Sequence, residues 1–162
     1  MEYVYFHCHL QGQEGTSTLR TNIFFKMAGI VRKLVQATAA PKAIGPYSQA
    51  VIADKTMYIS GQIGFVPSTM EIVTGGVAAE TDQALKNMGA ILEEGGASYN
   101  NVVKTTVLLK DINDYAAVNE VYAKYFSNNK PARAAFQVAA LPRGALVEIE
   151  AIAVVGSVVD SQ

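Results

Sequence analysis

Two short apolar stretches near the end of the chain carry charged residues whose types could do chemistry. Arg133 lies in the strand-like segment 131–138, and Glu148 and Glu150 lie in a second such segment, 147–152. A charge in an apolar strand is costly unless it is paired, solvated or bound to a ligand. Arginine can grip a carboxylate with two parallel hydrogen bonds, and glutamate can handle a proton. These residues indicate a site for a small acidic metabolite, with a structural ion pair as the alternative for Arg133.

Few other residues in the chain could act as a nucleophile or a base. Cys8 is the only cysteine, and both histidines, His7 and His9, flank it. Beyond residue 9, Ser-His-Asp catalysis, Cys-His catalysis and most zinc chemistry are therefore excluded. Neighbours as close as these three cannot easily complete a tetrahedral metal site, so we expect no metal there.

Size and charge limit the class of protein and its partners. The chain has 162 residues, of which 50% are hydrophobic and 17% charged, which is typical of one soluble globular domain. The net charge is -1 and no basic stripe stands out, so nucleic acid is not an expected partner. No apolar run approaches the roughly 20 residues that span a bilayer, so a membrane is not expected either.

Residues 1–26 differ in composition from the rest of the chain. They lack the basic start and apolar run of a secretory signal, and they are not arginine-rich like a mitochondrial presequence. We expect a poorly ordered extension here, followed by a single domain over 27–162. The expected location is cytoplasmic, with an organelle as the alternative.

Hydrophobic spacing predicts the elements that must position the charged residues. Strands are predicted over 30–35, 49–53, 56–60, 102–109, 132–139 and 146–155. One helix of about 18 residues is predicted between Gly76 and Gly95, and a second begins at Asn113 or Asp114. The order β-β-β-α-β-α-β-β predicts an α+β fold, with a single mixed β-sheet and two helices packed on one face.

The predicted faces of two elements complete this description. The buried stripe of the first helix is predicted at Leu85, Met88, Ile91 and Leu92, and that of the second at Tyr115, Val118, Tyr122, Tyr125 and Phe126. One face of the strand over 102–109 is predicted to carry Val103, Thr105, Val107 and Leu109.

The last strand is apolar on both sides. Val147 and Ile149 lie on one side, and Ile152 and Val154 lie on the other. Two helices can cover only one face of the sheet, so the second face must be buried in another way. We therefore predict a homo-oligomer with polar sites at the subunit seams.

Five blocks of sequence carry a family resemblance. In order they are AIGPYSQA at 43–50, YISGQIG at 58–64, NVVKTTV at 101–107, PARAA at 131–135 and VEIEA at 147–151. Together they resemble the RidA/YjgF family of enamine/imine deaminases over roughly residues 28–156. The resemblance implies a homotrimer of chorismate-mutase-like fold with three clefts between subunits. It also implies hydrolysis of 2-aminoacrylate, 2-iminopropanoate or 2-iminobutanoate to a 2-keto acid and ammonia, without cofactor or metal.

The resemblance also implies roles for individual residues. Arg133 would hold the substrate carboxylate and Glu148 would position or activate water, with Glu150 in support or in an ion pair across the seam. Substrate contacts are implied for Tyr47, Ser60, Gly61 and Ala135. Some family members have cysteine where this chain has Ala135, whose backbone N–H could still contact the ligand.

Plainer interpretations stay open for several of these positions. Tyr47 after Gly-Pro could be a loop anchor, and Ser60-Gly61 after a strand could be only a turn. Asn119 could reach a seam, although its place on the second helix favours solvent. For the whole protein, the alternatives are a translation-inhibiting ribonuclease and a non-catalytic trimer that binds 2-keto acids or acts like a chaperone.

Overall fold

The computed structural model describes residues 29–159, so the predicted extension over 1–26 and the His7-Cys8-His9 tract lie outside the described residues. These described residues contain eight strands: β1 (Arg32–Val35), β2 (Ala50–Ala53), β3 (Thr56–Gln62), β4 (Phe65–Val66), β5 (Glu71–Ile72), β6 (Val102–Leu109), β7 (Ala132–Gln137) and β8 (Val147–Val154). The helices are α1 (Val77–Glu94) and α2 (Tyr115–Tyr125). Short 3₁₀ turns cover Tyr99–Asn101, Ile112–Asp114 and Pro142–Gly144.

Six strands form the main sheet, in the order β1-β2-β3-β8-β6-β7. All neighbours are antiparallel except β6 and β7, which are parallel because α2 carries the chain back between them. The prediction of a mixed sheet with two helices is confirmed. Beside this main sheet, β4 and β5 form a separate two-stranded ribbon that was not predicted. Two residues per strand are too few to show a period-2 pattern in the sequence.

Both helices cover the same face of the main sheet. The stripe predicted on α1, which includes Leu85, Met88 and Ile91, is fully buried. It packs in one core cluster against the side of β8 that carries Val147 and Ile149. Burial of this apolar area stabilises the fold by roughly 25 cal/mol per Å².

Two predicted faces are partly wrong. Tyr115 was predicted in the core of α2, but it is 41% exposed and Val121 is buried instead. Val103 was predicted beside Thr105, but it is 45% exposed. A bulge explains Val103: its neighbours in the strand pair with consecutive residues of β8, so one extra residue is inserted and the alternation of faces shifts.

Among residues 29–159, no helix or strand covers the other face of the sheet. An apolar row crosses it through paired positions on β1, β2, β3 and β8: Leu34, Val51, Tyr58 and Ile152. Tyr58 is 51% exposed, and Phe136 on the edge strand β7 is 47% exposed. This confirms that the helices leave one apolar face open, which is the observation behind the predicted oligomer.

Candidate active site

Arg133 lies on the helix-covered side of the sheet, at its edge. Its register partner on β6 is Thr105, which points into the core below α2. The side chain of Arg133 reaches α2, where Nη2 donates a hydrogen bond to Tyr115 Oη at 3.0 Å. The guanidinium carbon lies 4.8 Å from the ring centroid of Tyr122. The guanidinium is thus held against two aromatic rings, and among residues 29–159 its other N–H donors have no side-chain partner.

Asn119 joins this group from the same side of α2. It lies one turn after Tyr115, and its side-chain amide and the nearby Arg133 both lower the pKa of the Tyr115 hydroxyl. Asn119 Oδ1 is buried and has no hydrogen-bond partner among residues 29–159. Asn119 is therefore only partly exposed, and its side-chain oxygen does not reach solvent as expected. A buried amide oxygen without a partner is costly, so this acceptor is available to a ligand or to another chain.

Glu148 lies on the opposite, open face of the sheet. It is the β8 residue between Val147 and Ile149, both of which face the core. Its side chain packs directly on Gly61 of β3. A Cβ added at Gly61 would lie 2.7 Å from Glu148 Cδ, so only glycine leaves room for the carboxylate in this position. Gly61 was predicted as a substrate contact, and its closest neighbour is the predicted water-activating residue.

A bulge at Ser60-Gly61 creates this arrangement. Ile59 and Gln62 of β3 pair with residues of β8 that are only two apart, so β3 holds one extra residue here. The buried Gln62 fixes the bulge, because its Nε2 donates to the Ser60 carbonyl at 2.9 Å. The residues Ser60-Gly61, which could have been a turn after the strand, therefore form a bulge within a continuous strand.

The groups of Ser60 and Tyr47 are partly engaged. Ser60 Oγ donates to the Ser48 carbonyl at 2.7 Å, and the Ser60 N–H donates to the Gln49 carbonyl at 3.0 Å. Ser60 Oγ can therefore accept a hydrogen bond from a ligand but has no proton left to give. Tyr47 is 50% exposed, and its hydroxyl accepts a bond from the Ile44 N–H at 3.3 Å.

The electrostatics of Glu148 favour proton transfer. Burial raises the pKa of its carboxyl, and the like charge of Glu150 raises it further. The two carboxylates lie on the same face, as the i, i+2 spacing predicts, and Glu150 is exposed. The predicted effect of the carboxylate pair has the right sign, although burial is the larger cause. A base with a raised pKa is better matched to a reaction near neutral pH.

Within one protomer the two predicted catalytic residues do not meet. Arg133 is aligned with Thr105, whereas Glu148 is aligned with Leu108, and the two side chains leave opposite faces of the sheet. They are offset by roughly 10 Å along the strands and two strand spacings across. No ion pair to Arg133 occurs in the part of the chain that the structure describes, so neither glutamate pairs with it there.

The site residues therefore fall into two groups. We name the arginine half-site by Arg133, Tyr115, Asn119 and Ala135, and the glutamate half-site by Glu148, Gly61, Ser60 and Tyr47. Ala135 belongs to the first because it shares the face of Arg133 two residues along β7. Tyr47 belongs to the second because it adjoins Ser48, whose carbonyl Ser60 contacts. Sequence reasoning missed Tyr115, although its spacing of four from Asn119 on one helix was readable.

Two further properties concern the described residues 29–159. None of their helices is long and apolar enough to cross a membrane. No three of their His, Cys, Asp or Glu side chains are grouped closely enough to hold a metal ion.

Comparison with known proteins places this geometry in context. The family model described as Endoribonuclease L-PSP matches residues 37–155. A mouse protein named 2-iminobutanoate/2-iminopropanoate deaminase is 62% identical over 130 residues, which are 80% of this chain and 96% of the mouse protein.

Solved structures agree with the fold. The crystal structure of RidA from the Antarctic bacterium Psychrobacter sp. has a TM-score of 0.74 and 50% identity, covering 76% of this chain and 99% of that one. TdcF of E. coli, crystallised with bound serine, has a TM-score of 0.73 and 40% identity over 76% of this chain and 99% of its own.

Proposed function

This chain belongs to the Endoribonuclease L-PSP family, which includes RidA and YjgF, and from that premise we propose that it is an imine deaminase. It hydrolyses 2-aminoacrylate, 2-iminopropanoate or 2-iminobutanoate to the 2-keto acid and ammonia. The observation that carries this function is the 62% identity to the mouse deaminase over nearly the whole of that protein. No cofactor or metal takes part in the reaction as proposed.

Arg133 binds the substrate carboxylate. Its guanidinium lies at the edge of the sheet and donates only one of its N–H groups to Tyr115, which supports a second, paired use of the free donors. A planar fork of N–H groups matches the two oxygens of a carboxylate. Each charge-assisted bond of this kind contributes about 1.5–3 kcal/mol.

Glu148 is the base that activates water. The carboxylate takes a proton from water as the oxygen bonds to the imine carbon, and it then passes that proton to the nitrogen, which gives the carbinolamine. The same carboxylate takes the proton of the new hydroxyl and delivers it to the nitrogen as the C–N bond breaks, so the keto group and ammonia form and Glu148 is ionised again. The raised pKa of Glu148 supports this role, because the protonated carboxyl can return its proton to the leaving nitrogen.

The remaining half-site residues position the substrate. Ser60 Oγ, with its proton donated to Ser48, accepts a hydrogen bond from the imine N–H. Asn119 Oδ1, buried without a partner in the described residues, can accept a hydrogen bond from the second N–H that 2-aminoacrylate or a protonated imine carries. Tyr47 forms a wall of the site, and Gly61 and Ala135 present backbone rather than side chain to the ligand. Positioning of this sort converts a slow bimolecular attack into an effectively unimolecular one.

The two half-sites come together between subunits of a homotrimer. Opposite faces of one sheet cannot enclose one small ligand, so the arginine half-site of one subunit faces the glutamate half-site of the next. The apolar row through Leu34, Val51, Tyr58 and Ile152 supports this assembly, since it needs a cover in water. Light scattering should give a mass near three times 17.3 kDa, and a monomer would contradict the assembly.

A direct hydrolysis assay tests the function. A pyridoxal-phosphate threonine dehydratase generates 2-iminobutanoate, and the appearance of 2-oxobutanoate is followed with and without this protein. We expect acceleration over the spontaneous reaction, lost in Arg133→Ala. A rate equal to the spontaneous one would contradict the deaminase and leave a trimer that binds keto acids without turnover.

The second candidate is a ribonuclease, because the matching family model is described as an endoribonuclease. Residues 29–159 contain no histidine to serve as acid or base, and the net charge of -1 does not attract RNA. Cleavage of RNA that survives repurification and the Arg133→Ala change would support a separate nuclease site. The cytoplasmic location stays a prediction from the sequence.

A further inference from the structure

We propose that Thr105 and Tyr122 are a positioning pair that sets the orientation of the Arg133 guanidinium for the substrate carboxylate. The proposal rests on the function proposed above, because it concerns how the same arginine is held. Both residues are buried, so the proposal gives them no contact with the ligand. Both act through the arginine.

Thr105 links the strand that neighbours Arg133 to the helix above it. It is the register partner of Arg133 in the parallel β6–β7 pair, so the two residues are held side by side by the sheet. Thr105 is fully buried, and its Oγ1 lies 2.7 Å from Tyr122 Oη. A buried hydroxyl destabilises the fold unless it forms a hydrogen bond, and here each of the two hydroxyls is the partner of the other.

Tyr122 presents its ring to the arginine in a fixed plane. One end of the ring is anchored by the bond to Thr105, and the ring stacks on Phe126 at 4.3 Å between centroids and 25° between planes. Tyr122 is 7% exposed, so its ring has little freedom to turn. Burial raises the pKa of its hydroxyl, which stays neutral and able to share a hydrogen bond with Thr105.

Arg133 rests on this plane. Its guanidinium carbon is 4.8 Å from the Tyr122 ring centroid and 5.6 Å from that of Tyr115, so Tyr122 is the closer platform. A cation close to an aromatic ring is attracted by the ring's negative face. Thr105, Tyr122 and Arg133 are therefore linked pairwise: by strand pairing, by one hydrogen bond and by one cation–π contact. These three links fix the orientation of the arginine before the substrate binds.

Pre-orientation of this kind should change the Michaelis constant rather than the turnover number. The carboxylate is gripped equally in the bound substrate and in the transition state, because it does not take part in the reaction. Loss of a uniform binding interaction raises KM and leaves kcat unchanged. A merely structural role would instead lower thermal stability with KM intact.

Two variants remove the bond between the pair. Tyr122→Phe keeps the ring, and Thr105→Val keeps the shape of the threonine. For each we expect KM for 2-iminobutanoate to rise about 2- to 10-fold, with kcat within about twofold. The double variant should be no worse than either single one, because the same bond is lost. Thr105→Ser, which restores a hydroxyl, should return KM to the wild-type value.

Matched controls make the same chemical changes elsewhere. Tyr125→Phe removes a hydroxyl from the same helix, where it bonds Asp82 at 2.7 Å. Thr81→Val removes a buried threonine hydroxyl that bonds the Val77 carbonyl at 2.7 Å in α1. Both controls should lose some thermal stability and keep the wild-type KM.

The kinetic comparison separates failure of this proposal from failure of the function. If the wild type hydrolyses the imine and folded Tyr122→Phe keeps the wild-type KM, the positioning pair is wrong. If Thr105→Val does not fold, Tyr122→Phe alone decides. If the wild type shows no hydrolysis, the deaminase function is wrong, and 2-oxobutanoate binding measured by calorimetry decides the pair: an unchanged Kd in Tyr122→Phe would overturn it.

Discussion

Gly61 and Glu148 lie in contact across the β3–β8 pair, so closely that a Cβ on Gly61 would be 2.7 Å from Glu148 Cδ. The atoms in the way belong to the far end of a flexible side chain, so a methyl group there would move the carboxylate rather than the backbone. We predict that Gly61→Ala folds with little loss of stability while kcat/KM for imine hydrolysis falls about 100-fold, as expected for a misplaced catalytic group. Steady-state kinetics and thermal melting together measure both effects.

Gly64 gives the matched contrast. A Cβ there would lie 2.8 Å from the backbone Cα of Glu80, which cannot move aside cheaply. Gly64→Ala should therefore lose melting temperature more than Gly61→Ala does. Equal kinetic effects at the two glycines would show that neither acts through Glu148.

The second prediction concerns pH. Burial and then the charge of Glu150 raise the pKa of Glu148, and the base must be ionised to take a proton from water. kcat/KM should therefore rise with pH through a midpoint above the ordinary glutamate value. Glu150→Gln removes the smaller of the two causes, so the midpoint should move to lower pH but stay above that ordinary value.

Glu93→Gln is the control for this pH profile, since Glu93 is an exposed carboxylate near the end of α1. Its profile should overlay that of the wild type. A midpoint that Glu150→Gln leaves in place would show that the neighbouring charge does not reach Glu148.

The third prediction uses a buried carboxylate away from the site. Glu80 is 5% exposed, and its Oε2 accepts the Leu146 N–H at 2.8 Å. Burial raises its pKa above the ordinary value of 4.5, although the Leu146 bond and the nearby Lys110 oppose the shift. The native state then binds more protons than the unfolded state, so this carboxyl's contribution to stability is present below pH 4.5 and is lost as pH rises through the folded pKa.

Glu80→Gln keeps an acceptor for Leu146 and removes the charge. Relative to the wild type, its free energy of unfolding should increase as pH rises from about 4 towards neutrality. Asp82→Asn is the control of opposite sign, because Lys86 and then Tyr125 lower the pKa of Asp82. The loss in free energy of unfolding caused by Asp82→Asn should be present near neutral pH and disappear in acid. Urea unfolding at several pH values measures both, and a pH-independent difference for Glu80→Gln would contradict the prediction.

The long elements were predictable from the sequence. The apolar stripe on α1 follows from its helical spacing, and the flanking glycines mark the ends of this 18-residue helix. The faces near bulges were not. Val103 was predicted on the wrong face of the sheet, because one inserted residue reverses the alternation of side chains between the two faces. A period-2 pattern in the sequence does not show where such an insertion occurs.

The candidate site was predictable in its residues and not in its geometry. Arg133 and Glu148 stand out as charges in apolar strands, yet their opposite faces depend on strand order and register, which the sequence does not display. Helical spacing predicts Tyr115 in the buried stripe of α2, and the position of Asn119 on the same helix favours solvent. Tyr115 instead contacts the arginine, and Asn119 interacts with Tyr115 while its side-chain oxygen has no partner in the described residues.

The central claim is that Arg133 and Glu148 of different subunits make one site, and subunit mixing tests it most directly. At substrate concentrations well below KM, where the rate reports kcat/KM, Arg133→Ala and Glu148→Gln should each be inactive alone. In a trimer assembled from both, every mixed ring holds one junction with an intact arginine facing an intact glutamate. Random mixing in equal amounts should therefore restore about one quarter of the wild-type activity. Activity no higher than the sum of the two separate variants would contradict a site shared between subunits.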